Sequence, residues 1–226
     1  MKKRHKAAMV ALSLGFALVK FTKDKDTKQT LLNAVHQQDV YAVKKLIRSG
    51  ADLDQRNERG RTPLMIATYN NDVEIAKILI ATGADVNIQD DMHNTPFLYA
   101  AAEGYLDILK LSTKAGANPT STDRYGNTAL IPAAEHGDIH VLRWLLNETT
   151  IDVNHINNLG WTALLEAVIL GDGSKKYQEC VQLLLQHKAN PNIADKDDVT
   201  PLEHAEKLGF KEIEYLLKNS VTKNIY

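Results

Sequence analysis

Several residue groups in this chain have types and spacings that could do chemistry. His136 and His140 stand four apart, the spacing at which two imidazoles on one helix can seat a metal ion. Gly137 falls between them at an expected turn, so they read as two surface histidines on different helices. Gly171-Asp172-Gly173-Ser174-Lys175-Lys176 has the composition of a phosphate loop. It lacks the GxxxxGK[ST] spacing and follows a helical rather than a strand pattern, so a solvated loop is expected. Cys180 is the single cysteine, which excludes an intrachain disulfide and any multi-cysteine zinc site. It shares its register with Val141 and reads as a buried, inert thiol. Asp90-Asp91 and Asp197-Asp198 read as solvated turn formers rather than acid/base pairs. Neither a Ser-His-Asp order nor an HExxH motif occurs. The expectation is a non-enzyme with no cofactor and no metal.

The elements that position these residues repeat. Thr62-Pro63-Leu64 recurs as Thr95-Pro96-Phe97, Thr128-Ala129-Leu130, Thr162-Ala163-Leu164 and Thr200-Pro201-Leu202, at spacings of 33, 33, 34 and 38 residues. A second mark keeps step: Gly50-Ala51-Asp52, Gly83-Ala84-Asp85, Gly116-Ala117-Asn118, then the degenerate Thr150-Ile151-Asp152 and Lys188-Ala189-Asn190. Stepping back from Ala67 reaches Ala34 and a first unit without the Thr-Pro entry. Each unit reads as two short helices. Thr offers a side-chain cap, and Pro has φ preset with no N–H to leave unpaired. The second helix carries an apolar stripe, Val73, Ala76, Leu79 and Ile80 in one unit and Ile139, Leu142, Leu145 and Leu146 in another. Gly-Ala-Asp supplies a left-handed exit, and turn glycines Gly60, Gly126 and Gly160 suit projecting hairpins. No unit can bury its stripe alone, so neighbours must stack.

The Thr-Pro-Leu entry, the Gly-Ala-Asp-Val-Asn exit and the 33-residue period closely resemble the ankyrin repeat. Trp161-Thr162-Ala163-Leu164-Leu165-Glu166-Ala167 and Asp172-Gly173 also look similar to small stand-alone bacterial ankyrin-repeat proteins. The resemblance implies an all-α solenoid of about six helix-turn-helix units with projecting hairpin loops. The units run about 27–57, 58–90, 91–123, 124–157, 158–195 and 196–220, with a tail at 221–226. One departure is consistent: the family's His after Thr-Pro-Leu is Met65, Leu98, Ile131, Leu165 and Glu203 here. The hydrogen bond that His usually makes is therefore expected to be absent. Asn33, His36, Gln37, Lys44 and Lys45 in the first unit, and Glu203, Glu206, Lys207, Lys211, Glu214 and Lys218 in the last, read as polar caps.

The resemblance further implies a protein partner held on the concave face of hairpin tips and first helices. Aligned units place Arg56, Arg59 and Arg61 on one tip as a basic cluster, with Tyr69 on the following helix. Met92, Tyr125 and Leu159 take equivalent tip positions, Arg124 precedes Tyr125, and Trp161 lies two residues beyond Leu159. Aromatics, Met and Arg are the types enriched at interface centres. Two other readings compete: a small-ligand protein or enzyme using the fifth-unit insertion and His136, or an oligomeric structural scaffold. A monomer is expected.

Charge separates the chain into two parts. The formal net charge is −1, yet the first 23 residues hold six Lys or Arg and no acid. The remaining residues carry 21 basic against 28 acidic side chains, an acidic body that argues against nucleic acid. A basic cluster at 2–6 precedes 13 uncharged residues at 7–19, the order of a secretory signal. Thirteen helical residues span about 20 Å, too little for the hydrocarbon core of a bilayer. Residues 1–26 therefore read as a signal peptide or N-terminal anchor with linker. The protein is expected to be exported, periplasmic, cell-surface or secreted, with a cytoplasmic extension as the alternative. Membrane contact is expected only through that segment if it stays uncleaved.

Overall fold

The computed structural model describes residues 29–223, with side chains to 220, and the expected N-terminal signal lies outside the described residues. Among the described residues twelve α-helices run in consecutive antiparallel pairs, and there is no strand. The pairs are α1 (Leu31–His36) with α2 (Val40–Arg48), α3 (Pro63–Tyr69) with α4 (Val73–Ala81), and α5 (Pro96–Ala102) with α6 (Leu106–Lys114). Then come α7 (Leu130–Glu135) with α8 (Ile139–Glu148), α9 (Ala163–Ile169) with α10 (Lys175–Gln186), and α11 (Pro201–Leu208) with α12 (Lys211–Lys223). Each first helix packs on the first helix of the next pair, and second helices pack likewise, α2 on α4, α4 on α6, α8 on α10 and α10 on α12, with only a looser approach of α6 to α8. Their buried faces form one continuous core from Leu31 to Leu217. This is the stacked solenoid that the repeat requires.

Helix entry follows the sequence at four of five Thr positions. Thr62, Thr95, Thr162 and Thr200 each accept a hydrogen bond from the N–H three residues on. Thr128 does not, and its hydroxyl is buried without a partner. The cause is Pro132. In the other units the Thr carbonyl accepts from the fifth residue's N–H, as Thr62 does from Ile66 at 3.0 Å. Proline has no such N–H, so the Thr128 carbonyl takes Ile131 at 3.2 Å and the first turn tightens. The positions where the family carries His are filled by fully buried Met65, Leu98, Ile131 and Leu165. Glu203, the remaining one, closes a capping box with Thr200.

Second helices bury more than the expected stripe. Ile75, Ile108, Val141 and Cys180, one column between the stripe residues, are inaccessible to solvent, while Val73 and Ile80 are half-buried. A second helix packs on the first helix of its own unit as well as on a neighbouring second helix, so a wider face is needed. In the cap of the last unit, Glu214 is buried rather than solvent-facing, because Lys211 at 2.8 Å and Lys218 at 3.7 Å pair with it.

Two sets of loops tie the units together. Behind the second helices, Asp54 Oδ1 accepts the Asp85 N–H at 3.0 Å, Asn87 that of Asn118 at 2.8 Å, and Asn154 that of Asn190 at 2.7 Å. Thr120 stands where the next Asn would be, and there the ladder lacks a rung among the described residues. The exit just beyond, at Thr149, is extended rather than left-handed, whereas Lys188 does adopt the left-handed turn without being Gly.

On the opposite edge, five hairpins share one device. Asn57, Asp90, Asp123, Asn157 and Asp195 each use Oδ1 to accept the N–H groups two and four residues on. The turn needs a positive φ, supplied by Gly60, Gly126 and Gly160 but also by His93 and Asp198. Consecutive tips are linked through the backbone, Asp91 N–H to Arg59, Arg124 N–H to Met92, and Asn158 N–H to Tyr125.

Candidate partner-binding face

The sequence places three arginines on the first tip, and their surroundings differ. Arg56 donates to the Gly60 carbonyl at 2.9 Å and across to the Gln89 carbonyl at 2.8 Å, so its guanidinium binds the hairpins to each other. Arg61 lies 3.5 Å from the Tyr69 ring centroid and 3.5 Å from Asp90 Oδ2. Arg59 is exposed, with no side-chain bond among the described residues. Asp90 is only 3% exposed, so the expectation of a solvated turn former is corrected. Its oxygens take the Met92 and Asn94 N–H groups and the Tyr69 hydroxyl, with Arg61 alongside. Burial and then Asp90 hold the Tyr69 phenol above its usual pKa.

Two tyrosines extend this group that sequence reasoning did not single out. Tyr99 stacks on Tyr69 with centroids 3.9 Å apart, and Tyr105 meets Tyr99 edge-on at 6.3 Å. Burial, then neighbouring Glu103, pushes the Tyr99 phenol up to about 12. The signal lay in one aligned column beneath the tips, Ile66, Tyr99, Pro132, Glu166 and His204. Its polar members reach the hairpins. His204 Nε2 is 2.7 Å from Asp195 Oδ2, and Asn157 Nδ2 donates to Glu166 Oε1 at 3.1 Å.

The tips of the fourth and fifth units expose apolar surface. Tyr125 is 52% and Leu159 57% exposed, while Met92 and Trp161 are half-buried. Arg124 bridges two of these residues: it lies 4.6 Å over the Tyr125 ring, bonds the Tyr125 hydroxyl, and reaches the Met92 sulfur at 3.1 Å. Leu170 and Leu208, at the ends of α9 and α11, are also exposed. Beneath Trp161, Asn157 Oδ1 accepts its N–H, and Asn157 Nδ2 also reaches Asn127 at 2.9 Å. Glu166 is 4% exposed, and its second oxygen has no partner. Burial, then Glu135, pushes its carboxyl up to about 7 against the Asn157 hydrogen bond.

The residues with catalytic types do not converge. His136 ends α7 with Nδ1 2.8 Å from the Ala102 carbonyl, and His140 begins α8, so they sit on different helices as the turn glycine implied. Among the described residues no group of three or more His, Cys, Asp or Glu could hold a metal ion. Hydrogen bonds from Ser174 hold the Asp172 carboxyl below its usual range. Lys176 donates to the His136 carbonyl at 3.0 Å and Tyr177 to the Glu135 carbonyl at 2.8 Å, bracing the inserted loop on the preceding unit. His136 lines an open groove with Glu103 and Asp138, and Lys175 lines another with Arg143 and Glu179. Cys180 is buried, which pushes its thiol up to about 12. Among the described residues no helix is long and apolar enough to cross a membrane.

The profile of the family "Ankyrin repeats (3 copies)" matches residues 31–123 and 97–195, most of the chain. The chain belongs to the ankyrin-repeat family. Such repeats are generally protein–protein interaction modules, and proteins of the family are typically non-catalytic. Over 77 residues the chain is YahD-like, 52% identical to the ankyrin repeat protein YahD of Escherichia coli (strain K12). That stretch is 34% of this chain and spans only 38% of the length of the relative. An ankyrin repeat domain from Acinetobacter baumannii AYE superposes with a TM-score of 0.82 at 49% identity, covering 84% of this chain and 96% of that one. The ankyrin-repeat protein EF0377 gives 0.80 at 41% identity over the same shares. The ankyrin repeat domain of Bcl-3, a member of the IκB protein family, gives 0.75 at 25% identity and covers 87% of each chain.

Proposed function

We propose that this array recognises a partner protein through its concave face of hairpin tips and first helices, without catalysis. The observation that carries the reading is the exposure of Tyr125 and Leu159 on successive tips, 52% and 57%. Large apolar side chains held outward at equivalent positions supply the desolvation energy of an interface centre. Arg124, pinned between Met92 and Tyr125, limits the conformational freedom lost on binding. Arg59 and the other tip charges set register and on-rate. Replacing Tyr125 and Leu159 together by Ser tests the reading, with partner affinity and thermal stability measured side by side. Weakened binding at unchanged stability supports it. Unchanged affinity for the native partner contradicts it.

The protein acts as a monomer outside the cytoplasm in this reading. The motivation is the basic cluster at 2–6 followed by 13 uncharged residues. N-terminal sequencing of the native protein checks export, and light scattering of the purified protein checks the monomer.

A further inference from the structure

Glu135 and Glu166 stand on adjacent helices of the fourth and fifth units, near enough for their charges to repel, and among the described residues neither has an ion pair. Glu135 is half-exposed in the last turn of α7, and Glu166 is 96% buried in α9, the helix packed against it. The surrounding side chains account for three of the polar atoms here. Asn157 spends its oxygen on the Leu159 and Trp161 N–H groups and its nitrogen on Glu166 Oε1 and Asn127. Asn127 in turn is held by Asp123. Glu166 Oε2 receives nothing. A buried carboxylate oxygen without a donor costs free energy. Lys176 of the inserted loop is committed to the His136 carbonyl and the Tyr177 ring. The pair is therefore short of positive charge and of hydrogen-bond donors at the same point.

We propose that Glu135 and Glu166 together receive a guanidinium or ammonium side chain from the partner, seated beside Trp161 and the Tyr125–Leu159 tips. This rests on the concave-face reading above and names the partner's chemistry: a basic side chain flanked by apolar residues. A planar guanidinium presents several donors in one fork, enough to reach both carboxylates. Terminal Glu torsions are soft, so a small rotation turns Oε2 toward a donor arriving beside exposed Glu135. Apolar tip residues close over the ion pair and exclude water, which strengthens it. The acidic body of the chain draws such a segment in.

The probe for the test is N-acetylargininamide, added to the folded protein carrying carbon-13 in its glutamates. Each carboxyl is followed by NMR through a pH titration, with tetramethylammonium chloride at equal concentration as the ionic-strength control. Relative to that control, the arginine probe lowers the Glu166 midpoint by about half a unit or more, roughly a threefold change in proton affinity. Glu135→Gln, at a half-exposed position compatible with folding, loses most of that fall. A midpoint that moves equally with probe and control overturns the proposal, as does a full response in Glu135→Gln. The Tyr125/Leu159 double variant tests the face itself, so an intact face with an indifferent carboxylate pair is recognised as failure of this inference alone.

Discussion

The side-chain nitrogen of Asn157 donates to one oxygen of Glu166 at 3.1 Å and leaves the other oxygen buried and unpaired. Burial and Glu135 raise this carboxyl to about 7 from 4.5 in the unfolded chain. Between those values the folded state keeps a proton that the unfolded state releases. The stabilisation is complete below the unfolded value and is lost as pH rises through about 7. The unfolding free energy from denaturant titrations should therefore fall from pH 5 toward pH 8 by about 1–3 kcal/mol, and Glu166→Gln should flatten that slope. Asp195, held low by His204, Glu203 by Thr200 and Glu214 by Lys211 act in a separate window. Their contribution is lost only as pH falls below the ordinary carboxylate range.

Ser112 and Leu145 occupy the same register of consecutive second helices, the column that also holds Leu79, Leu184 and Leu217. Both are fully buried, and the Ser112 hydroxyl has no partner. Leu145→Ala should cost about 2–5 kcal/mol through lost contacts and a residual cavity. Ser112→Ala should do the opposite and stabilise by about 1 kcal/mol, because an unsatisfied hydroxyl disappears. Thermal and urea unfolding of the two variants checks both signs.

Thr120 interrupts the ladder that Asp54, Asn87 and Asn154 form with the following units. Thr120→Asn should restore a rung to Asp152 and stabilise the array by about 0.5–1 kcal/mol. Hydrogen exchange of the Asp152 amide is the specific readout. Slowed exchange there, with no change at Asp85, marks a new local bond.

Much of this architecture was legible because one spacing governs it. The Thr-Pro entries and Gly-Ala-Asp exits mark helix starts and ends by backbone chemistry that acts locally. What escaped was set by partners outside the local motif. Pro132 looks harmless in its own helix, yet it removes the donor for Thr128 and with it the cap. Asp90 reads as a polar turn residue, but Tyr69 and Arg61, more than twenty residues earlier, cover it. Arg56 reads as free positive charge, and its guanidinium is spent on the Gln89 carbonyl 33 residues away. The same holds for the candidate face. Tyr125 and Leu159 could be aligned by counting, whereas the Tyr69–Tyr99–Tyr105 group and the Glu135–Glu166 pair depend on contacts between helices of different units.

Site-specific photo-crosslinking in the native cell tests the concave-face account most directly. A benzophenone side chain is placed at Tyr125 or Leu159 on the tips, and at Lys77 on the exposed back of α4 as the comparison. The account predicts one defined covalent adduct from both tip positions and none from Lys77. An adduct formed from Lys77, with the two tip positions silent, would contradict it.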